Sequence, residues 1–153
     1  MIFCYSATQK SKAYADLLGE MLSCPVHMLE TKLDPSSRIS FYLAAAFKKS
    51  QSEVLNLPEK IDAKELYVVG PIWAGELARP LKYFLENAPI DKSRPVNMLL
   101  TAMTADIKYA EDAKKFLEKH GFTPGEAHVF ATPSSGIDKA TSKEQIRELY
   151  NLA

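Results

Sequence analysis

Two patterns of hydrophobic and polar positions alternate along the chain. One consists of short apolar runs bounded by polar or turn-forming residues, which predict β-strands. These runs cover residues 1–5, 25–30, 65–70, 95–101 and 126–132. The cores of the third and fourth runs are almost continuously apolar, which is typical of strands covered by helices on both faces. The sequence therefore predicts a buried parallel sheet.

The other pattern is an apolar stripe with helical spacing in the segment that follows each strand. The stripes are Tyr14, Leu17, Leu18, Met21 and Leu22; Ile39, Tyr42, Leu43, Ala46 and Phe47; Leu77, Leu81, Phe84, Leu85 and Ala88; Tyr109, Ala113, Phe116, Leu117 and His120; and Ile146, Leu149, Tyr150 and Ala153. Asp106 is predicted as the N-cap of the fourth helix and Gly121 as the residue that ends it. Thr141 and Glu144 have the spacing of a capping box for the fifth.

Alternating strands and helices with short connections leave few topologies, because parallel crossovers are right-handed. We predict an α/β doubly wound sandwich, with a five-stranded parallel sheet of order 2-1-3-4-5 and helices on both faces. Residues 1–153 are predicted to form a single domain, with the polar segment 51–64 as a surface connection. Ligands of such sheets bind beyond the carboxyl ends of the first and third strands. Candidate site residues should therefore follow Tyr5 and Gly70.

Three hydroxyl residues follow the first strand, at the turn into the first helix. The turn reads Ser6, Ala7, Thr8, Gln9, Lys10 and Ser11. Unpaired N–H groups and the dipole at a helix N-terminus attract anions, and hydroxyls also donate to phosphate oxygens. The alternative is an ordinary N-cap, since Ser and Thr are common there.

The segments after the third and fourth strands are the other candidates. After the third come Pro71, Ile72, Trp73, Ala74 and Gly75, a predicted loop that contains the one tryptophan of the chain. Trp73 is placed to cover a flat ligand by stacking, or alternatively to close the top of the core. After the fourth come Thr101, Ala102 and Met103, a small loop that either approaches a ligand or simply leads into the next helix.

These segments resemble motifs of the flavodoxin family and related flavodoxin-like FMN proteins. The run from Tyr5 to Ser11 is similar to the family's phosphate loop, commonly S/T-x-T-G-x-T/S. The run Gly70-Pro71-Ile72-Trp73-Ala74-Gly75, followed by Pro80 and Phe84-Leu85, is similar to the loop and helix after the third strand of many short flavodoxin-like proteins. The order and spacing of the elements agree over nearly the whole chain.

The resemblance implies the 2-1-3-4-5 sheet and FMN at its carboxyl edge. Carried over by position, the hydroxyls of Ser6, Thr8 and Ser11 would donate to the 5′-phosphate, as would the backbone N–H groups of residues 7–11. The segment from Pro71 to Gly75 would line the isoalloxazine, with Trp73 against one face of the ring. Thr101, Ala102 and Met103 would lie near the ring or the ribityl chain.

The sequence departs from the family pattern at three points. Gln9 stands where the phosphate loop usually has glycine, which matters if that position needs a positive φ. No aromatic residue lies near Met103 to stack on the second face of the ring. The 19 Lys and Arg residues balance 19 Asp and Glu residues, whereas flavodoxins that carry electrons are typically acidic. These departures favour an enzyme, or a chain that has lost flavin, over a simple electron carrier.

The composition of the chain argues against several classes of function. Hydrophobic residues make up 46% and charged residues 25% of the 153 residues, which is ordinary globular usage. Zero net charge gives no reason to expect nucleic-acid or membrane binding, and no apolar run is long enough to span a bilayer. The two cysteines form no CxxC pair and the start has no signal-peptide pattern, so we expect a cytoplasmic protein. The three histidines have no metal-ligand spacing, so no metal site is predicted.

The leading hypothesis is an FMN-binding protein in electron transfer or flavin-dependent redox chemistry, with a redox protein or a small-molecule acceptor as its partner. The flavin carries the electrons, so no protein residue is assigned as catalytic. The alternatives are an NAD(P)H-dependent FMN or quinone reductase, and a flavodoxin-like binding module without flavin. The sequence leaves open whether the protein is an enzyme and how many copies associate.

Overall fold

The elements alternate as the hydrophobic pattern predicts. The computed structural model describes residues 1–33, 49–132 and 135–152. The strands are β1 (Ile2–Cys4), β2 (Val26–Met28), β3 (Leu66–Trp73), β4 (Glu76–Leu77), β5 (Pro95–Ala102) and β6 (Thr123–Ala131). The helices are α1 (Lys10–Leu22), α2 (Arg79–Asn87), α3 (Ile107–Lys119) and α4 (Lys139–Leu149), with a 3-10 turn at Lys49–Ser52. The helix predicted from the stripe at 39–47 lies outside the described residues.

The strands form one sheet in the order β2-β1-β3-β5-β6, with every pair in this series parallel. The predicted order 2-1-3-4-5 is therefore confirmed, since β5 and β6 are the fourth and fifth apolar runs. The short strand β4 was not predicted, and it pairs antiparallel with the end of β3. It extends the sheet at the edge where the candidate site residues lie.

The segment after the third apolar run is a β-hairpin, so the prediction of a loop at Pro71, Ile72 and Trp73 is wrong. Proline is normally excluded from a central strand because it cannot donate to the ladder. Val69 O accepts from Tyr5 N at 3.0 Å, which places this side of β3 against β1. Pro71 faces the same side two residues later, beyond the last β1 pairing at Cys4. Its missing N–H therefore takes no bond from the β1–β3 ladder, and Pro71 O accepts from Ala78 N, just beyond β4, at 3.1 Å.

The predicted helix boundaries are confirmed for α3 and are wrong for α4 and α2. Asp106 caps α3, with its Oδ1 accepting from Lys108 N at 2.9 Å, and Gly121 follows α3 with a φ of 79°. The capping box at Thr141 is wrong. Asp138 caps α4 instead, accepting from Ala140 N at 3.0 Å, and Thr141 lies inside the first turn. α2 begins at Arg79, after the predicted Leu77, because Leu77 belongs to β4.

Successive residues of the central strands enter two hydrophobic clusters on opposite faces of the sheet. Phe3 and Val68 pack on one face, whereas Cys4 and Val69 pack on the other. The first face is covered by α2 and α3 and the second by α1 and α4, through the buried side chains Leu81, Phe84, Leu117, Leu18 and Ile146. This double coverage explains the continuous apolar runs of the inner strands.

His128 on β6 should make stability depend on pH. Its ring packs edge-on against Tyr150 with centroids 4.9 Å apart. Burial is the main effect and lowers the pKa of His128 below its ordinary value of 6.5, with a smaller opposing effect from Glu126. The folded state therefore binds this proton more weakly than the unfolded state does. The stability that the neutral ring contributes is present above pH 6.5 and decreases as the pH falls below it.

A His128→Gln variant isolates this contribution. We expect the stability difference between the original chain and the variant to shrink as the pH falls from about 7.5 to 5. Urea unfolding of both chains at several pH values measures it. A difference that stays constant across this range contradicts the prediction, because other titrating groups are common to both chains.

Candidate functional site

Three segments converge at the carboxyl edge of the sheet. They are the turn between β1 and α1 (residues 6–11, the α1 turn), the β3–β4 hairpin, and the end of β5. Pro71 at the hairpin pairs with Thr101 on β5. Thr101 Oγ1 in turn lies 2.7 Å from Ser11 Oγ in the first turn of α1. The structure thus brings together the three groups of residues singled out in the sequence.

The α1 turn presents unpaired hydrogen-bond donors. The first backbone bond of α1 is from Ala13 N to Gln9 O at 3.0 Å. In the described part of the chain, no backbone N–H from Ser6 to Lys12 donates to another residue. Ser6 Oγ is buried and has no hydrogen-bond partner there either. A buried hydroxyl without a partner is costly, so this turn suits a ligand that accepts hydrogen bonds.

The charges around the α1 turn also favour an anion. The first turn of α1 holds no acidic residue, so no carboxylate of that turn opposes the positive end of the helix dipole. Lys10 is exposed, and its Nζ lies 3.5 Å from Thr132 O. Lys12 is paired with Asp16 at 2.5 Å and contributes less net charge. Lys10 is therefore the cation at this turn that has no carboxylate partner among the described residues.

Gln9 adopts a backbone conformation that favours glycine. It is the N-cap of α1, with φ of 64° and ψ of −4°, and its side chain is exposed. For a residue with a Cβ this left-handed conformation costs about 1 kcal/mol. The departure noted in the sequence thus falls on a position that does have a positive φ.

The hairpin places Trp73 beside Tyr5. The two rings meet edge to face, with centroids 5.6 Å apart and planes at 82°. Tyr5 is 4% exposed, and burial raises the pKa of its hydroxyl, with a hydrogen bond from Thr31 as a smaller opposing effect. Trp73 is half-buried, so part of its indole reaches the surface. Tyr5 is thus a neighbour of the site that the sequence reasoning missed, although it directly precedes the hydroxyl-rich turn.

The turn of the hairpin is tight. Ala74 and Gly75 are exposed and have φ of 49° and 82°. Two successive positive φ values match the twist of a two-residue hairpin connection. Ile72 lines a cleft of about 230 Å³ together with Tyr109 and Phe116. Ile72 and Trp73 both pack against the hydrophobic cluster that contains Phe3 and Val68.

An ion pair attaches the hairpin to α2. Lys82 Nζ on α2 donates to Glu76 Oε2 on β4 at 2.7 Å. This hydrogen bond, and then the charge of Lys82, lower the pKa of the exposed Glu76 carboxyl. The hairpin is thus held to the helix that follows it.

The end of β5 contributes buried residues and one exposed side chain. Thr101 and Ala102 are 3% and 8% exposed, and Ala102 O accepts from Thr132 N at 2.9 Å. Met103 is 92% exposed, so packing does not hold its side chain against the other segments. The structure therefore leaves the Met103 side chain almost fully exposed.

Two further findings concern chemistry and location. Within residues 1–33, 49–132 and 135–152, no group of three His, Cys, Asp or Glu side chains is arranged to hold a metal ion. No helix in these ranges has the length and apolar character needed to cross a membrane.

Solved structures with the same architecture include flavodoxins and other flavoproteins. A candidate flavoprotein from Bacteroides eggerthii superposes with a TM-score of 0.70 at 18% identity, over 97% of this chain and 95% of that one. The reduced flavodoxin of Megasphaera elsdenii gives 0.51 at 13% identity, over 97% and 99%. An NADH:FMN oxidoreductase in its apo form gives 0.55 at 16% identity, over 99% and 89%.

The chain therefore has the flavodoxin-like fold. Its sequence matches no protein-family model, and no curated protein matches it significantly. At these levels of identity, the structural likeness establishes the fold alone.

Proposed function

We propose that the chain binds FMN at the carboxyl edge of the sheet and acts in electron transfer or flavin-dependent redox chemistry. The observation that carries this proposal is the α1 turn, where the buried Ser6 hydroxyl and several backbone N–H groups have no partner in the described residues. They lie at the same sheet edge as Trp73, the aromatic residue suited to cover a flat ring. A ligand with a phosphate and an aromatic ring matches both features.

The residues of the site fit the two ends of FMN. The N–H groups of residues 7–11 and the hydroxyls of Ser6, Thr8 and Ser11 would hold the phosphate, with Lys10 adding positive charge. The hairpin residues Pro71, Trp73 and Gly75 would lie along the isoalloxazine. Such recognition needs no countercharge from a buried side chain, because the helix N-terminus supplies it.

The bound flavin would supply the electron-accepting chemistry. The protein's contribution is to exclude water and to position the ring. Tyr5 contacts Trp73 edge to face, and the ion pair between Glu76 and Lys82 connects the hairpin to α2.

The spectrum of the purified protein is the direct test. A yellow protein, or tight quenching of Trp73 fluorescence during titration with FMN, is the expected result. The readout is specific because Trp73 is the only tryptophan in the sequence. A colourless protein whose Trp73 fluorescence does not change during titration with FMN would contradict the proposal.

A steady-state assay then separates a carrier from a reductase. The likeness to an NADH:FMN oxidoreductase makes a reductase the second candidate. NAD(P)H oxidation with quinone acceptors by the FMN-loaded protein would identify a reductase. A flavin-loaded protein that does not turn over NAD(P)H would be an electron carrier for a protein partner.

The alternative of a binding module without flavin rests on Gln9, and the Gln9→Gly variant tests whether this residue weakens FMN binding. Glycine adopts a positive φ without the Cβ penalty, so the loop is held in its binding conformation at lower cost. If this penalty opposes ligand binding, we expect Gln9→Gly to tighten FMN binding by about fivefold, from about 1 kcal/mol of relief. Isothermal titration of both chains measures the change.

Gln9→Ala is the matched control, because alanine keeps the Cβ and loses only the long side chain. An equal gain in Gln9→Ala and Gln9→Gly would mean that the side chain, and not the backbone, opposes binding. Equal affinities for Gln9→Gly and the original chain contradict the prediction.

A further inference from the structure

A buried pair of hydroxyls joins the α1 turn to the end of β5. Ser11 Oγ and Thr101 Oγ1 are 2.7 Å apart, and the two residues are 2% and 3% exposed. Neither hydroxyl has a second hydrogen-bond partner among the described residues. The pair lies where the helix N-terminus meets the strand that neighbours the hairpin, since Thr101 is also paired with Pro71.

One of the two hydroxyl hydrogens in this pair lacks an acceptor. Each hydroxyl carries one hydrogen, and only one hydrogen lies on the line between the two oxygens. The second hydrogen has no acceptor in the described residues, and both side chains are almost fully buried. Leaving a buried donor without an acceptor is unfavourable. The pair therefore suits an acceptor that arrives with a ligand.

The position of the pair identifies which hydroxyl meets the ligand. Ser11 is the second residue of α1, among the unpaired N–H groups that attract an anion. An anion only accepts hydrogen bonds, so Ser11 has to donate to it. The bond between the hydroxyls must then run from Thr101 to Ser11. A chain of donors that ends on an anion is strengthened along its length.

We propose that Thr101 is a positioning residue for phosphate recognition. Its hydroxyl donates to Ser11 Oγ, and this directs the Ser11 proton toward the phosphate of the bound nucleotide. This inference rests on the proposed FMN function and deepens it. The resemblance places Thr101 near the ring or the ribityl chain, whereas the geometry connects its hydroxyl to Ser11 in the α1 turn, where the phosphate would bind.

A comparison of FMN with riboflavin tests this role, because riboflavin has the same ring and lacks the phosphate. We expect Thr101→Val to weaken FMN binding by about tenfold, the size of one charge-assisted hydrogen bond, and riboflavin binding by less than about twofold. Thr101→Ser keeps the hydroxyl and should restore FMN affinity. An equal loss for both ligands, or no loss for FMN, would overturn the proposal.

A double-mutant cycle shows whether Thr101 acts through Ser11. In a Ser11→Ala background, Thr101→Val should cause no further loss of FMN affinity. Independent losses that multiply would overturn the proposed connection. Urea unfolding of each variant establishes that it is folded. If Thr101→Val does not fold, Thr101→Ala takes its place in the same comparisons.

Inorganic phosphate separates this inference from the proposed function. Amide chemical shifts of residues 6–11 report phosphate binding at the α1 turn without any flavin. If the original chain binds phosphate but not FMN, the flavin proposal fails, and the phosphate affinities of the Thr101 variants decide the positioning role. If it binds neither, both proposals are rejected.

Discussion

Replacing Trp73 with alanine is expected to weaken FMN binding by about 30-fold. Removing a large aromatic surface from a ligand wall costs about 2 kcal/mol through lost burial and stacking. The same change should alter the visible spectrum of the bound flavin, because the environment of the ring becomes more aqueous. Flavin fluorescence measures the affinity, since the variant has no tryptophan.

Two comparisons make this prediction specific. Trp73→Phe keeps an aromatic face and should lose only a few-fold in affinity. Trp73→Ala also removes the edge contact with Tyr5, so its unfolding free energy must be measured beside its affinity. Unchanged affinity and an unchanged spectrum, with reduced stability, would show that Trp73 closes the core and does not line the ligand.

Replacing Phe84 with alanine is expected to cost about 3–5 kcal/mol of stability. Phe84 is 0% exposed on α2, and its ring lies 4.7 Å from that of Phe3 on β1. The cavity would open between the helix and a central strand, where rigid neighbours leave little room for collapse. In a domain of this size, the melting temperature should fall by roughly 10 °C.

Phe84→Leu is the control, because it fills most of the same volume. Its cost should be about 1.5 kcal/mol or less. Thermal and urea unfolding measure both variants. A Phe84→Ala chain as stable as Phe84→Leu would show that the packing between α2 and β1 contributes less than its burial indicates.

The order and direction of the strands were predictable from the sequence. The apolar runs marked buried strands, and right-handed crossovers left few ways to connect them. Because a doubly wound sheet carries its ligands at one edge, the same reasoning located the α1 turn and the segment after Gly70. The residues that end some helices were also predictable. Asp106 caps α3 as predicted, because capping depends on residues only two positions apart.

The hairpin was not predictable, because it depends on where β1 ends. Pro71 can continue β3 because the pairing with β1 ends at Cys4, and the carbonyl of Pro71 instead accepts from Ala78 N beyond β4. The contact between Tyr5 and Trp73 depends on that hairpin, so it could not be predicted from the sequence either.

The sequence by itself determined the fold class, the edge of the sheet that carries the candidate site, and the residue types available there. The tertiary structure alone decided which of those residues meet. Ser11 and Thr101 are 90 positions apart, yet their hydroxyls share one buried hydrogen bond. Periodicity along the chain reports which face of an element is buried, because it depends on neighbours three or four positions apart. A hydrogen bond between polar groups that are distant in the sequence depends on strand register and helix placement. It therefore cannot be predicted from a local sequence pattern.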